Sequence, residues 1–193
     1  MKYIKLILLP ILLWGCTVNS NPKVKISTTM GDIVVEIYSD KAPITANNFL
    51  AYVDSNKYSN LASFYRVVRL DNQPDKAIKI EVVQGGFYSD SVIEKRQFPP
   101  IVHETTQQTG ILHLDGAISM ARMEPGSASS EFFICIGNQP ELDFGGKRNP
   151  DGQGFAAFGK VISGMEVVRQ IQHQKDNSQY LLSPIKINSI IRL

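Results

Sequence analysis

Three short stretches hold the side chains that could do chemistry: Arg66 in "FYRVV", Gln84 in "VVQGG" and Glu131 at the head of "SSEFFICIG". Arginine is permanently charged and offers a rigid fork of donors, a glutamine amide donates and accepts, and an ionised glutamate only accepts. Read singly, Arg66 is a strand residue in a surface ion pair and Gln84 a strand end before a Gly-Gly turn. Other chemistries find less support. His103, His113 and His173 lack metal-ligand spacing and fit exposed or structural roles. The sequence shows no activated serine or cysteine nucleophile. "GGKRNPDGQG" (145–154) is glycine-rich but does not lie between a strand and a helix in P-loop order, so it reads as a turn-rich loop.

Alternating apolar and polar residues on both sides of "MGD" in "VKISTTMGDIVVEIY" predict a β-hairpin from Val24. "SDKAPITANNFLAYVDS" predicts a helix, with Asp40 as candidate cap, Pro43 near its first turn, and Ala46, Phe49, Leu50 and Val53 at helical spacing. Strand-like runs follow at 63–70, 77–86, 117–122, 129–137 and 154–162. Ser163 and Glu166 form a candidate capping box for a second helix carrying Val167, Val168 and Ile171, and "PIKINSIIRL" (184–193) alternates again. Many strands, two short helices and no internal repeat predict a mainly β fold, a closed antiparallel barrel with helices over its ends. The irregular stretches 87–110, 122–130 and 138–154 are long for a compact domain, which points to function in them.

At 193 residues and 43% hydrophobic content, the chain is sized for one globular domain. Its amino end differs. Lys2 and Lys5 precede the apolar run Leu6 to Trp14, the layout of a secretory signal over residues 1–15. "LWGC" resembles a bacterial lipobox, which makes Cys16 a candidate for lipidation, residues 16–23 a tether, and 24–193 the folded domain. Thr17 after the cysteine looks like outer-membrane sorting, on the periplasmic side; a plain signal peptide and a soluble product is the alternative. Several acyl chains, each buried methylene contributing about 0.8 kcal/mol, would make anchoring effectively permanent. Cys135 would then be the one remaining cysteine, a small core residue without a disulfide partner. Loss of two lysines with the signal leaves the mature chain neutral, with no electrostatic case for nucleic acid.

The order "FYRVV", "VVQGG", "GAISMAR", "SSEFFICIG", "LDFGG", "FAAFGKVISGMEVV" resembles the cyclophilin-type peptidyl-prolyl cis-trans isomerases over about residues 24–193. The resemblance implies a closed eight-stranded antiparallel barrel capped by two α-helices, no cofactor, no metal, a monomer, and proline-containing segments of unfolded or exported proteins as partners. Rotation about an X–Pro bond meets a barrier of roughly 18–20 kcal/mol from amide resonance, and no bond is made or broken. Such a site needs an apolar seat for the proline ring and a fixed donor aimed at the prolyl nitrogen.

By resemblance Arg66 is that donor and Gln84 its positioner. Phe133 is the floor of the proline pocket, Leu142 and Val82 are its walls, Phe64 and Phe155 its neighbours, and Ala121 and Arg122 line the groove with Glu131. Alternation turns Phe132 and Ile134 the other way, into the core. The chain also departs from the family pattern. Tyr65 replaces a common histidine, Glu81 a pocket phenylalanine, Glu131 a glutamine, Glu141 a tryptophan and Phe155 a histidine. Glu131 is expected either to pair with Arg66 or Arg122 or to select clients bearing a donor or positive charge. Two rival readings stand beside the isomerase: a proline-segment binding module whose acidic groove (Glu81, Glu131, Glu141) turns over little, and a ligand-carrier barrel, which the aromatics Phe132, Phe155 and Phe158 argue against by filling the core.

Overall fold

The computed structural model describes residues 21–193. The expected signal segment, Cys16 and most of the tether lie outside the described residues. The chain enters the fold one residue early, at Lys23: β1 (Lys23–Thr28) and β2 (Gly31–Ile37) form the expected hairpin, in register from Lys23↔Glu36 to Thr28↔Gly31. The alternation is as read, for Val24, Ile26, Ile33, Val35 and Ile37 are all fully buried. Next come β3 (Ser63–Val68), β4 (Val82–Gly86), β5 (Ala117–Met120), β6 (Phe132–Cys135), β7 (Ala156–Ser163), the two-residue β8 (Asp176–Asn177) and β9 (Tyr180–Arg192). Around the wall the order is β1-β2-β7-β5-β6-β4-β3-β9, and β9 pairs back onto β1, so eight antiparallel strands close a barrel while β8 adds only to β9. Closure leaves no long unpaired edge.

Aromatic rings fill the interior. Phe49 meets Phe132 edge-on at 5.5 Å and Phe158 at 5.1 Å, and Phe64 meets Phe132 at 5.9 Å. Offset and edge-to-face pairs of this kind contribute beyond their buried area. These fully buried rings occupy the interior that a carrier barrel would keep open for its ligand. Phe155, however, is not one of its rings: it packs on a second cluster outside the barrel with Phe133.

Four α-helices and one 3-10 turn (Pro140–Leu142) occur among the described residues. The two expected ones are α1 (Pro43–Asp54) and, later, the helix Met165–Gln172; between them the stretch read as irregular contains α2 (Asp90–Arg96) and α3 (Thr106–Thr109), so the last helix is α4. Neither sequence-predicted cap forms. Asp40 lies too far out, Ala42 being the N-cap residue of α1, and the free N–H groups of Ile44 and Thr45 donate instead to the Glu104 carboxylate, at 3.2 and 2.6 Å, joined by the Thr45 hydroxyl at 2.7 Å. Ser163 stays in β7, paired with Val34, and Gly164 caps α4 at φ +91°, where a Cβ would sit 2.4 Å from the Asp32 carbonyl oxygen. A capping box does form at α3, between Thr105 and Gln108.

Glu104 is buried, so its removal exposes two helix N–H groups to a dry environment as well as deleting a charge favourable to the helix dipole. Glu104→Ala should lower the unfolding free energy by about 1–3 kcal/mol, the usual cost of buried groups left unpaired. Urea unfolding checks this; an unchanged midpoint refutes it. No helix among the described residues is long and apolar enough to cross a membrane.

Candidate active site

Strict alternation along β3 would send Phe64 and Arg66 to the same face. They part because β3 bulges: Phe64 pairs with Gly85 and Arg66 with Gln84, leaving Tyr65 as an extra residue against both β4 and β9. A bulge re-aims the side chains beyond it. Phe64 therefore turns into the barrel, Tyr65 and Arg66 both face outward, and Val67 returns to the interior while Val68 joins the outer cluster. Phe64 is fully buried in the core and does not touch the groove, a correction to its expected binding role.

β6 alternates as expected. Phe132 and Ile134 lie in the barrel core, while Phe133 and Cys135 lie on its outer side with Val82 of β4, Ile80 and Leu142. Behind Phe133 the His113 ring stacks nearly parallel, its centroid 6.0 Å away, and His113 is itself held by Asp143 at 2.7 Å and by Ser119 at 3.0 Å. Phe155 meets Phe133 edge-on at 5.3 Å. Arg122 stacks over Phe155 at 5.2 Å and is fastened by a bidentate pair with Asp151 at 2.8 and 2.9 Å and by the Gly154 carbonyl. Over this floor opens a cleft of about 380 Å³ whose lining brings together Arg66, Val82, Gln84, Ala121, Arg122, Phe133, Leu142 and Phe155 with Ile80 and Tyr180. A shallower hollow of about 330 Å³, lined by Glu131, Gln97 and Ser127, continues from it.

Arg66 stands at the rim. Its Nη1 donates to Gln84 Oε1 at 2.9 Å, and its Nε and Nη2 both donate to Gln179 Oε1, the Nε bond measuring 3.1 Å. Gln179 was not anticipated. It sits in the β8–β9 turn at φ +77°, and its own Nε2 is tied to the Asn72 carbonyl at 3.1 Å. A turn residue more than a hundred positions from the "FYRVV" motif leaves no local signal. Burial pulls the guanidinium pKa down, and the nearby Tyr180 and Tyr65 hydroxyls recover only part of that; the group remains a cation at any physiological pH.

Glu131 does not pair with Arg66 or Arg122. Its Oε2 accepts from the Tyr65 hydroxyl at 2.6 Å, and its Oε1 accepts from the Phe87 N–H at 2.8 Å and the Ser130 hydroxyl at 3.1 Å. Gly86, at φ +145°, permits this approach, because a Cβ there would lie 2.3 Å from the carboxylate. Burial pushes the Glu131 pKa above the usual carboxylate value, while these donors draw it back. α1 holds the segment in front of Glu131: Asn48 Nδ2 donates to the Ser129 carbonyl at 2.6 Å, and Tyr58 just beyond the helix donates to the Ser130 carbonyl at 2.7 Å.

The other acidic departures, Glu81 and Glu141, face away from the cleft. Glu81 is turned toward α4, where Gln172 Nε2 lies 3.3 Å from its carboxylate, and the pocket position beside Val82 is filled by Ile80. The insert before β4 had hidden this one-residue shift. Glu141 accepts from the Lys147 N–H at 2.8 Å. Cys135 is fully buried and its thiol pKa is pushed well up by that burial, which fits a packing role.

Comparison with known proteins agrees with this geometry. The family model described as cyclophilin type peptidyl-prolyl cis-trans isomerase/CLD matches residues 23–192. A peptidyl-prolyl cis-trans isomerase of Acinetobacter baylyi is 36% identical over 181 residues, which cover 89% of this chain and 85% of that protein. Peptidyl-prolyl cis-trans isomerase B of Escherichia coli is 34% identical over 146 residues, 75% of this chain and 80% of its own. The fold matches the crystal structure of a Cryptosporidium parvum cyclophilin type isomerase with a TM-score of 0.66 at 24% identity, over 90% of this chain and 98% of that one. A crystal structure of the same Cryptosporidium protein in the presence of the dipeptide Ala-Pro matches at 0.67. With a family model spanning the barrel from its first strand to its last, and bacterial relatives more than a third identical, this chain belongs to the cyclophilin-type peptidyl-prolyl cis-trans isomerases.

Proposed function

We propose that the enzyme accelerates X–Pro isomerisation with Arg66 as electrostatic catalyst. The proline ring sits on Phe133 between Val82, Ile80, Leu142 and Phe155, the backbone of Ala121 and Arg122 lines the groove for the preceding residue, and Gln84 positions Arg66. The observation that carries this reading is the clamp on Arg66. Its partners are two neutral amides, not a carboxylate, and they take three of its five N–H groups. The cation is held still while its charge stays unneutralised and two donors stay free.

The prolyl nitrogen has no lone pair to offer while amide resonance persists, and gains one as the bond twists. A donor fixed over it therefore binds the twisted state more strongly than either planar isomer, which is the condition for lowering the barrier. Bond rotation needs no proton transfer and no nucleophile. The acidic-groove argument for a weakly catalytic binding module loses its support, because Glu81 and Glu141 face elsewhere and Glu131 is enclosed by protein donors.

For clients we propose extended proline-containing segments of exported proteins, with the enzyme held at a bacterial envelope through an acylated Cys16. The support is the charged and apolar run of residues 1–15 and "LWGC". The test of activity is cis–trans exchange in a short Ala-Pro peptide, followed with and without the protein. Acceleration in proportion to protein concentration is expected; saturable binding without acceleration would install the binding-module reading instead. The mass of the processed amino terminus tests the anchor, which requires a mass increase from acyl chains on Cys16.

A further inference from the structure

Four side chains form an unbroken hydrogen-bonded row from β3 and β4 to Glu131, the residue just before β6. Arg66 Nη1 donates to Gln84 Oε1 at 2.9 Å, Gln84 Nε2 donates to the Tyr65 hydroxyl at 2.7 Å, and Tyr65 donates to Glu131 Oε2 at 2.6 Å. The two ends are chemically fixed, since a guanidinium can only donate and a carboxylate can only accept. The two middle groups can each do both, so the ends alone decide which way the row runs. We propose that Glu131, acting as a carboxylate, is a positioning residue of the active site: it fixes the direction of this row and so keeps the Gln84 carbonyl, not its NH2, against Arg66.

The reasoning is a satisfiability argument. With an acceptor at position 131, Tyr65 must give its one proton there and must receive from Gln84, which leaves only the Gln84 oxygen for Arg66. With a donor at 131, Tyr65 can receive from it and give its proton back toward Gln84. Arg66 alone then holds the amide, and in the molecules where it turns over two donors face each other at Arg66 and the guanidinium loses one side of its clamp. Gln179 alone would hold it. The bulge that places Tyr65 and Arg66 on the same face is what makes the row possible. Glu131 also accepts from the Phe87 N–H, so the same carboxylate fixes the start of the segment leading to α2, whose Ile93 lines the cleft.

The surroundings keep the row isolated. Tyr65 from β3, Tyr52 from α1 and Tyr58 just after it face the carboxylate, and burial raises the pKa of all three hydroxyls, so they stay neutral. Arg66 reaches it only through the row, and Arg122 is spent on Asp151. Asp90, at the start of α2, is the other carboxylate lining the hollow beside Glu131, and it lines the cleft as well. Because burial raises the Glu131 pKa, the carboxylate form is lost at a higher pH than for an exposed glutamate as acid is added, and positioning is lost with it.

The inference rests on the isomerase reading, and the experiment separates the two. Turnover of an Ala-Pro peptide is measured against pH for the protein, Glu131→Gln, Tyr65→Phe, their double variant and Asp90→Asn, and the Arg66 Nε–H signal is followed in 1H–15N spectra of each. Each single variant should lose about tenfold in kcat with KM little moved, roughly one charge-assisted hydrogen bond. The double variant should be no worse than either single, because the two residues act as one unit. The acidic fall in activity should persist in Asp90→Asn and be absent from Glu131→Gln. Additive losses in the double variant, full activity of Glu131→Gln, or an acidic limb that disappears with Asp90 instead would overturn the proposal. If the protein itself does not accelerate exchange, the isomerase reading fails while the spectra still decide the positioning: a shifted or broadened Arg66 signal in both single variants supports it, and an unmoved signal refutes it.

Discussion

Arg66→Ala should lower kcat/KM for a short X–Pro peptide by about 100- to 1000-fold, the range seen when one preorganised donor is removed from a dry catalytic site. The loss should fall on kcat, since the apolar seat that binds the ring, built on Phe133, Val82 and Leu142, is left in place. Arg66→Lys should recover little. A lysine ammonium is a mobile point charge without the planar fork that Gln84 and Gln179 grip from two sides. The barrel should survive either change, because Arg66 bonds to side-chain amides on the outer face and packs against nothing in the interior. An alanine variant that keeps full activity at an unchanged melting temperature would remove Arg66 from the mechanism.

Two neighbours on β6 should fail in opposite ways. Phe132→Ala should cost about 3–5 kcal/mol of stability, the usual price of an aromatic ring taken from a closed core. Its ring is fully buried and touches those of Phe49, Tyr58 and Phe64. Phe133→Ala should cost less stability, since one side of its ring faces the open cleft, and should raise KM for proline peptides because it removes the floor. Denaturant midpoints and peptide titrations on both variants check the pair. Equal stability losses with equal binding losses would mean that the wall of the barrel does not divide packing from recognition at this strand.

Much of this was legible in the sequence where a single element decides the outcome. The first hairpin, the burial of Phe132 and Ile134 against the outward Phe133, and the buried face of α4 all follow from periodicity within one strand or helix. What stayed hidden depends on contacts between elements far apart in the chain. The bulge at Tyr65 cannot be seen from "FYRVV", because it is a mismatch with β4 and β9. Gln179 reaches Arg66 only because β9 runs beside β3. Glu104 caps a helix sixty residues earlier, which no local cap signal announces. Tyr65 and Glu131 read as two separate departures from the family pattern; the fold brings them to 2.6 Å of each other and makes them one arrangement. Glu81 was misplaced because an insert obscured which of two consecutive residues enters the pocket.

The closing of the barrel also sets where the cleft lies relative to the amino end of the fold. In the ring β1-β2-β7-β5-β6-β4-β3-β9, β6 lies four strands from β1 whichever way the wall is followed. Lys23, where the chain enters the fold, is therefore on the far side of the barrel from Phe133. Whatever is joined to the amino end pulls from behind, and the body of the barrel becomes a spacer between the point of attachment and the bond being turned. Under the anchoring proposed above, the cleft would face away from the support, and a passing polypeptide could cross it without threading between the two.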